Sequence, residues 1–227
     1  MTNILKRASV AVARVAIAFA THVVTAARPV YSDPIVDIDD GPDRPRIFFA
    51  NHRSHGDFAL LWSVLPRAIR SRTRPVAGAD YWLTSSLKRF IGTNVFNAVL
   101  IDRNLSRSSA HPIDTMVDAV RDGASLIVFP EGTRNMGSDK LLPLKSGLHH
   151  FARALKNADL EADFVPVWID NLNRVLPKGE TVPVPLICKV HFGPPLDVQA
   201  EAGRHIFLDA ARDALLALSH EDRGVKC

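Results

Sequence analysis

The chain has 227 residues, 47% hydrophobic and 23% charged, with 28 Lys and Arg against 24 Asp and Glu for a net charge of +4. That length suits one domain with an appendage, and that balance excludes disordered, collagen-like and low-complexity classes. Cys188 and Cys227 are the only cysteines, which excludes a disulfide scaffold or a Cys-rich zinc module and fits reduced thiols in a cytosolic protein.

Charge is unevenly placed. Residues 1–32 carry four Lys/Arg and no acid, and residues 33–43 carry five Asp and no base. Residues 44–112 carry eleven Lys/Arg against three Asp, and residues 113–227 carry thirteen bases against sixteen acids. The first block suits an anionic membrane surface. No nucleic-acid partner is expected: the largest basic block is interleaved with apolar strand-like runs, and no recognition motif appears.

Residues 4–27 are mostly Ala, Val, Ile and Phe, with Val12, Val15, Ala16, Phe19 and Val23 at helical spacing. Arg14 makes a spanning helix a poor fit. Three readings remain: a helix lying in the membrane interface, a helix packed on the domain, and a secretory signal whose basic region is Lys6 and Arg7. The first is preferred. It makes residues 1–32 an amphipathic membrane-associating helix and residues 33–227 an α/β domain, held peripherally or monotopically at the cytoplasmic face of the cell membrane.

Residues 34–45 read as an ordered loop or edge strand. The run 46–50 (RIFFA) reads as a buried strand. Phe58, Leu61, Trp62 and Leu65 then predict a helix that stops before Pro66. Further strands are expected at 75–77, 98–101, 125–129 (SLIVF), 164–169 and 186–192. Further helices are expected over 83–91, ended near Gly92; from Pro112, with Ile113, Met116, Val117 and Val120 on one face, to Gly123; over 148–155; and through Ile206, Phe207, Ala210, Ala211, Ala214, Leu215 and Leu218. Alternating strands and helices make this an α/β fold, a mixed β-sheet flanked by helices.

Three polar motifs sit at predicted strand ends. After RIFFA come Asn51-His52-Arg53-Ser54-His55-Gly56-Asp57. A turn at Gly56 brings the Asp57 carboxylate back toward the loop, where it can hold one nitrogen of His52 and leave the other as a base. Two other readings stand beside it: helix capping by Asp57, and metal binding by His52, His55 and Asp57. His149-His150 reads as a surface pair. No G-x-S-x-G elbow exists, so a hydrolase triad is not expected.

After SLIVF come Pro130-Glu131-Gly132-Thr133-Arg134, with Lys145 before the next helix. Gly132 lets the backbone approach a ligand, Arg134 offers a planar fork for phosphate, and Lys145 with a helix start suits an anion. The run 132–140 lacks the lysine placement of a nucleotide-binding P-loop. Third, Leu100-Ile101-Asp102-Arg103 ends another strand. Arg103 is either a phosphate ligand or half of a surface ion pair. Arg67, Arg70, Arg72 and Arg74 form either a headgroup contact or a solvated basic loop.

In this order the motifs resemble the glycerolipid acyltransferase family typified by 1-acylglycerol-3-phosphate acyltransferase. His52-x4-Asp57 is similar to its H-x4-D box, Ile101-Asp102-Arg103 to its second box, residues 129–134 (FPEGTR) to its third, and Val165-Pro166-Val167 to its fourth. The resemblance covers about residues 44–195. It implies transfer of a fatty acyl group from acyl-CoA or acyl-carrier protein to a lysophospholipid hydroxyl, with no cofactor and no metal. His52 would be the general base and Asp57 its orienter. Arg103 and Arg134 would grip the acceptor phosphate, with Glu131 and Gly132 shaping that pocket and Thr133 and Lys145 beside it. The acceptor implied is 1-acylglycerol-3-phosphate, giving phosphatidic acid. Residues 75–82 (PVAGADYW) depart from the family: Asp80 stands in a segment that often carries Lys. This keeps other acceptors open, such as an amino-acid lysolipid, as well as a non-catalytic lipid-binding module.

Overall fold

The computed structural model describes residues 2–31, 44–102, 111–170 and 187–219. Arg103, the acidic block 33–43 and Cys227 lie outside them. In chain order the elements are α1 (Thr2–Thr25), β1 (Arg28–Tyr31), β2 (Arg46–Ala50), α2 (Asp57–Val64), α3 (Arg67–Arg72), β3 (Thr73–Gly78), α4 (Ala79–Trp82) and α5 (Ser86–Phe90). A π-helical turn (Ile91–Val95) leads to β4 (Val99–Ile101), α6 (Pro112–Arg121), β5 (Ser125–Val128), α7 (Gly147–Asn157), β6 (Asp163–Ile169) and β7 (Lys189–Phe192). A 3₁₀ turn (Ala200–Ala202) and α8 (Arg204–Leu218) complete the described chain.

The strands form one seven-stranded mixed sheet in the order β1-β7-β6-β2-β5-β3-β4. Strands β6, β2, β5, β3 and β4 run parallel to one another, and β7 is antiparallel to β6. Side-chain alternation along β2 explains why residues 47–50 (IFFA), which follow the buried Arg46, are apolar without a break. Phe48 and Ala50 pack on one face with Leu60, Leu61 and Trp62 of α2. Ile47 and Phe49 pack on the other with residues of α6, α7 and α8. Both faces are covered over residues 47–50, so neither face of that stretch meets solvent.

Topology places the functional edge. From β2 the chain crosses over β5 to reach β3, and from β5 it crosses over β2 to reach β6. The connections leave in opposite directions from two neighbouring parallel strands. A crevice therefore opens between the loops that follow them, at the carboxyl edge of the sheet.

Several expectations change. Helix α1 packs on the domain through Ala18, Ala13 and Ile17, and Arg14 turns inward, its Nε donating to the Val95 carbonyl at 2.6 Å. Yet Val12, Val15, Phe19 and Val23 stand outward at 64–70% exposure. Residues 8–25 are long and apolar enough to cross a bilayer, by length and composition only. Arg28–Tyr31, to which the sequence reading assigned no strand, pairs with β7 in parallel. Gly92 does not end a helix. The backbone runs on through the π turn, and a Cβ at Gly92 would lie 2.8 Å from the Trp82 ring, so glycine is required there by packing. Ile206 is 58% exposed, outside the buried face of α8 formed by Phe207, Ala211, Leu215 and Leu218. Arg70 and Arg74 donate to the Ser63 and Asn97 carbonyls. They lie near the amino end of β3, on the opposite edge of the sheet from the loops after β2 and β5.

Candidate active site

Asn51 leaves the end of β2 with its side chain acting as an extra rung of the sheet. Its Oδ1 accepts from the Ile169 N–H at 2.7 Å, and its Nδ2 donates to the Ile169 carbonyl at 3.1 Å. The next residue, His52, is thereby held at the carboxyl edge. Its Nδ1 lies 2.8 Å from Asp57 Oδ2, and its ring stacks on Phe129 with centroids 4.2 Å apart.

Asp57 is 1% exposed and opens α2. The same Oδ2 accepts the backbone N–H groups of Arg53 and Ser54, at 2.7 and 2.8 Å. The carboxylate therefore folds the loop around itself and sits at the positive end of α2, besides touching His52. Loop ordering and orientation of His52 are one arrangement, whereas no side-chain hydrogen bond caps α2. An oxygen that takes two N–H donors is an acceptor, so the proton of the shared contact belongs on His52 Nδ1 and the lone pair on Nε2. The side chain of His52 is 21% exposed, and among the described residues Nε2 has no hydrogen-bond partner.

The loop after β5 closes on this one through Glu131. Its carboxylate is 1% exposed. Oε1 accepts from the His52 N–H at 2.7 Å, and Oε2 accepts from the Leu142 N–H at 2.9 Å. Burial pushes its pKa above the ordinary carboxylate value, and the two backbone donors pull it back in part. The Asn135 N–H adds a 2.7 Å bond to the His52 carbonyl. Arg53 reaches the Gly137 carbonyl at 3.0 Å. Gly132 turns at φ +70°, and a Cβ there would meet Lys145 Cγ at 3.2 Å. The Lys145 N–H holds the Pro130 carbonyl at 2.8 Å, which lays the lysine stem along Gly132. Thr133 is exposed at the tip of the turn.

Arg134 is close enough to His55 to lower its pKa, after burial and ahead of His52 and Lys88, while Asp57 acts in the opposite sense. The structure thus brings His52, Asp57, Glu131, Gly132, Arg134 and Lys145 to one edge. Asp102 follows β4 at that same edge, and Arg103 lies outside the described residues. Among the described residues, no group of three His, Cys, Asp or Glu is placed to hold a metal. His55 instead stacks on Tyr81 at 5.5 Å, and Lys88 lies over that ring at 4.3 Å. Sequence reasoning missed this stack and the Asn51, Asn135 and Leu142 contacts, because each depends on a partner brought in by the fold. Cys188 is buried, its thiol pushed up to about 11 chiefly by burial, so it stays protonated near neutrality.

The chain is similar to known proteins in sequence and in fold. An aligned relative described as a 1-acyl-sn-glycerol-3-phosphate acyltransferase, from Chlamydomonas reinhardtii, is 27% identical over 182 residues, covering 77% of this chain and 48% of the relative. One of the same description from Haemophilus influenzae is 34% identical over 116 residues, covering 47% of this chain and 42% of that one. The chain spans about half the length of the curated relatives it matches, 48% and 42% for these two. The crystal structure of the 1-acyl-sn-glycerophosphate acyltransferase from Thermotoga maritima superposes with a TM-score of 0.66 at 17% identity, covering 100% of this chain and 85% of that one, which establishes a shared fold. The Acyltransferase family model matches residues 16–170, which include the loops after β2 and β5, and the chain belongs to that family.

Proposed function

We propose that the protein transfers a fatty acyl group from acyl-CoA or acyl-carrier protein to the free hydroxyl of 1-acylglycerol-3-phosphate, yielding phosphatidic acid. The observation that carries this reading is the 2.8 Å contact of His52 Nδ1 with a buried Asp57, which leaves Nε2 as the accessible base. In this reading Nε2 removes the acceptor hydroxyl proton as its oxygen attacks the thioester carbonyl. The tetrahedral intermediate then expels the donor thiolate, which takes the proton back from His52. Arg134 and Arg103 hold the acceptor phosphate, Glu131 and Gly132 shape its pocket, and Thr133 and Lys145 line the approach. The outward row of α1 lies in the interface of an anionic membrane at the cytoplasmic face, with Arg14 kept on the protein side.

The test is a panel of lysolipids offered with one acyl-CoA and one acyl-carrier protein. Phosphatidic acid is expected to dominate. No product from any lysolipid with either donor would overturn the reading. A second acceptor, an amino-acid lysolipid, is favoured by Asp80 on α4 beside the Tyr81–His55 stack, and the same panel separates the two. Replacing outward Val15 and Phe19 by Glu leaves the packed face of α1 intact and should release the protein from anionic vesicles. Unchanged vesicle binding would remove the membrane role of α1.

A further inference from the structure

The run 132–140, which lacks the lysine placement of a nucleotide-binding loop, carries a turn built on one buried amide. Asn135 is 2% exposed. Its Oδ1 accepts from the Gly137 N–H at 3.1 Å, and its Nδ2 donates to the Asp139 carbonyl at 2.7 Å. The turn needs an acceptor and a donor on one short side chain. An ionised aspartate offers acceptors alone, and alanine offers neither.

Two bonds tie this turn to the loop after β2. The Asn135 N–H donates to the His52 carbonyl at 2.7 Å. The Arg53 guanidinium donates to the Gly137 carbonyl at 3.0 Å, on the residue whose N–H the Asn135 side chain holds. Four residues earlier, Glu131 accepts the His52 N–H. The backbone N–H and carbonyl of His52 therefore bracket residues 131–135, and Arg134 lies inside the bracket. Among the described residues the Arg134 guanidinium makes no hydrogen bond or ion pair, so its place relative to His52 is set by the backbone on either side of it.

We propose that Asn135 is a positioning residue: its amide builds the turn that fixes Arg134 in register with His52, so that one acceptor molecule meets both. The kinetic consequence rests on the acyl-transfer reading. The structural consequence does not, because His55 lies within electrostatic reach of Arg134 and reports where that cation stands without any turnover. The other groups acting on His55 are His52, Asp57 and Lys88, and a change at Asn135 removes none of them.

The test compares Asn135→Ala and Asn135→Ser with the wild type, as full chains, using 1-acylglycerol-3-phosphate and one acyl-CoA. Alanine leaves the Gly137 N–H and the Asp139 carbonyl without their partner. The acceptor KM should rise at least about fivefold while the donor KM holds. Serine keeps an oxygen for the Gly137 N–H and should recover part of that loss; it carries the same comparison if the alanine variant does not fold. By NMR, the His55 titration should move to higher pH in the variants, as withdrawal of a nearby cation requires. A lower unfolding midpoint with an unchanged acceptor KM would mean a role in stability alone and would overturn the proposal. So would an equal rise in both KM values. Absence of transfer by the wild type would overturn the acyl-transfer reading and the kinetic claim with it, whereas an unmoved His55 titration beside intact transfer would overturn the positioning alone.

Discussion

Among the described residues the protein makes two histidine–aspartate contacts, and they are built in opposite senses. At the loop after β2 the carboxylate is buried and the ring is partly open: Asp57 is 1% exposed and the His52 side chain 21%. Across β6 and β7 the ring is buried and the carboxylate is open: the His191 side chain is 2% exposed and that of Asp170 27%, at 3.3 Å. Asp170 also takes the Trp168 indole N–H at 2.8 Å. The residue types are the same, yet only the first pair presents an imidazole nitrogen at the edge of the crevice. The direction of burial, rather than the pairing itself, separates an imidazole with an open nitrogen from a strand-to-strand tie.

The largest effect should come from His52→Ala, with acyl transfer falling about 10²–10⁴-fold while the fold persists. Transfer that survives in the purified variant would erase the distinction between the two pairs. Asp57→Ala removes the acceptor for two backbone N–H groups as well as for His52. It should therefore lower the unfolding free energy by about 1–3 kcal/mol in addition to activity, as read from urea titration with an activity assay. His191→Leu should cost a similar amount, about 1–3 kcal/mol, yet leave transfer largely intact. A matching loss of activity would mean that the β6–β7 pair also serves the site.

Glu131 sharpens the first pair by holding the His52 backbone. Its pKa is raised in the folded state, so the folded protein holds that proton more tightly than the unfolded chain. The resulting stabilisation is complete below the ordinary carboxylate value and is lost as pH rises through the raised folded value. Glu131→Gln has no such titration. Urea midpoints should therefore shift in favour of the wild type, relative to the variant, as pH falls from about 7 to about 4. A constant difference would show that Glu131 does not titrate abnormally. The smallest effect is on His55. Arg134→Gln removes a cation that lowers its pKa, so its NMR titration should move to higher pH.

The sheet strands were readable because RIFFA and SLIVF are buried on both faces and carry no polar alternation to confuse the period. Strand β1 was not, since four residues that include Pro29 bear no period, and an edge position tolerates the proline. The sequence also could not say that β2 and β5 are neighbours with diverging crossovers, which is what places His52 opposite residues 129–134. At the site, the spacing from His52 to Asp57 foretold a possible contact. The two amides on Asp57 and the amides on Glu131 were illegible, because backbone donors carry no residue-type signature. The buried His149 looked like a surface residue since its cover, Ala200, arrives 51 positions later.

The Asn51 clamp has a chemical consequence for the life of the molecule. Spontaneous loss of an asparagine amide begins when the next residue's backbone nitrogen attacks the side-chain carbonyl. Here that nitrogen, of His52, is engaged by Glu131, and the amide of Asn51 is engaged at both ends by Ile169. The fold therefore shields from ageing the residue whose conversion to aspartate would set a carboxylate against the Ile169 carbonyl. Peptide mapping after long incubation should find Asn51 intact in folded protein and modified in unfolded protein, so that damage at this position dates the loss of structure rather than the passage of time.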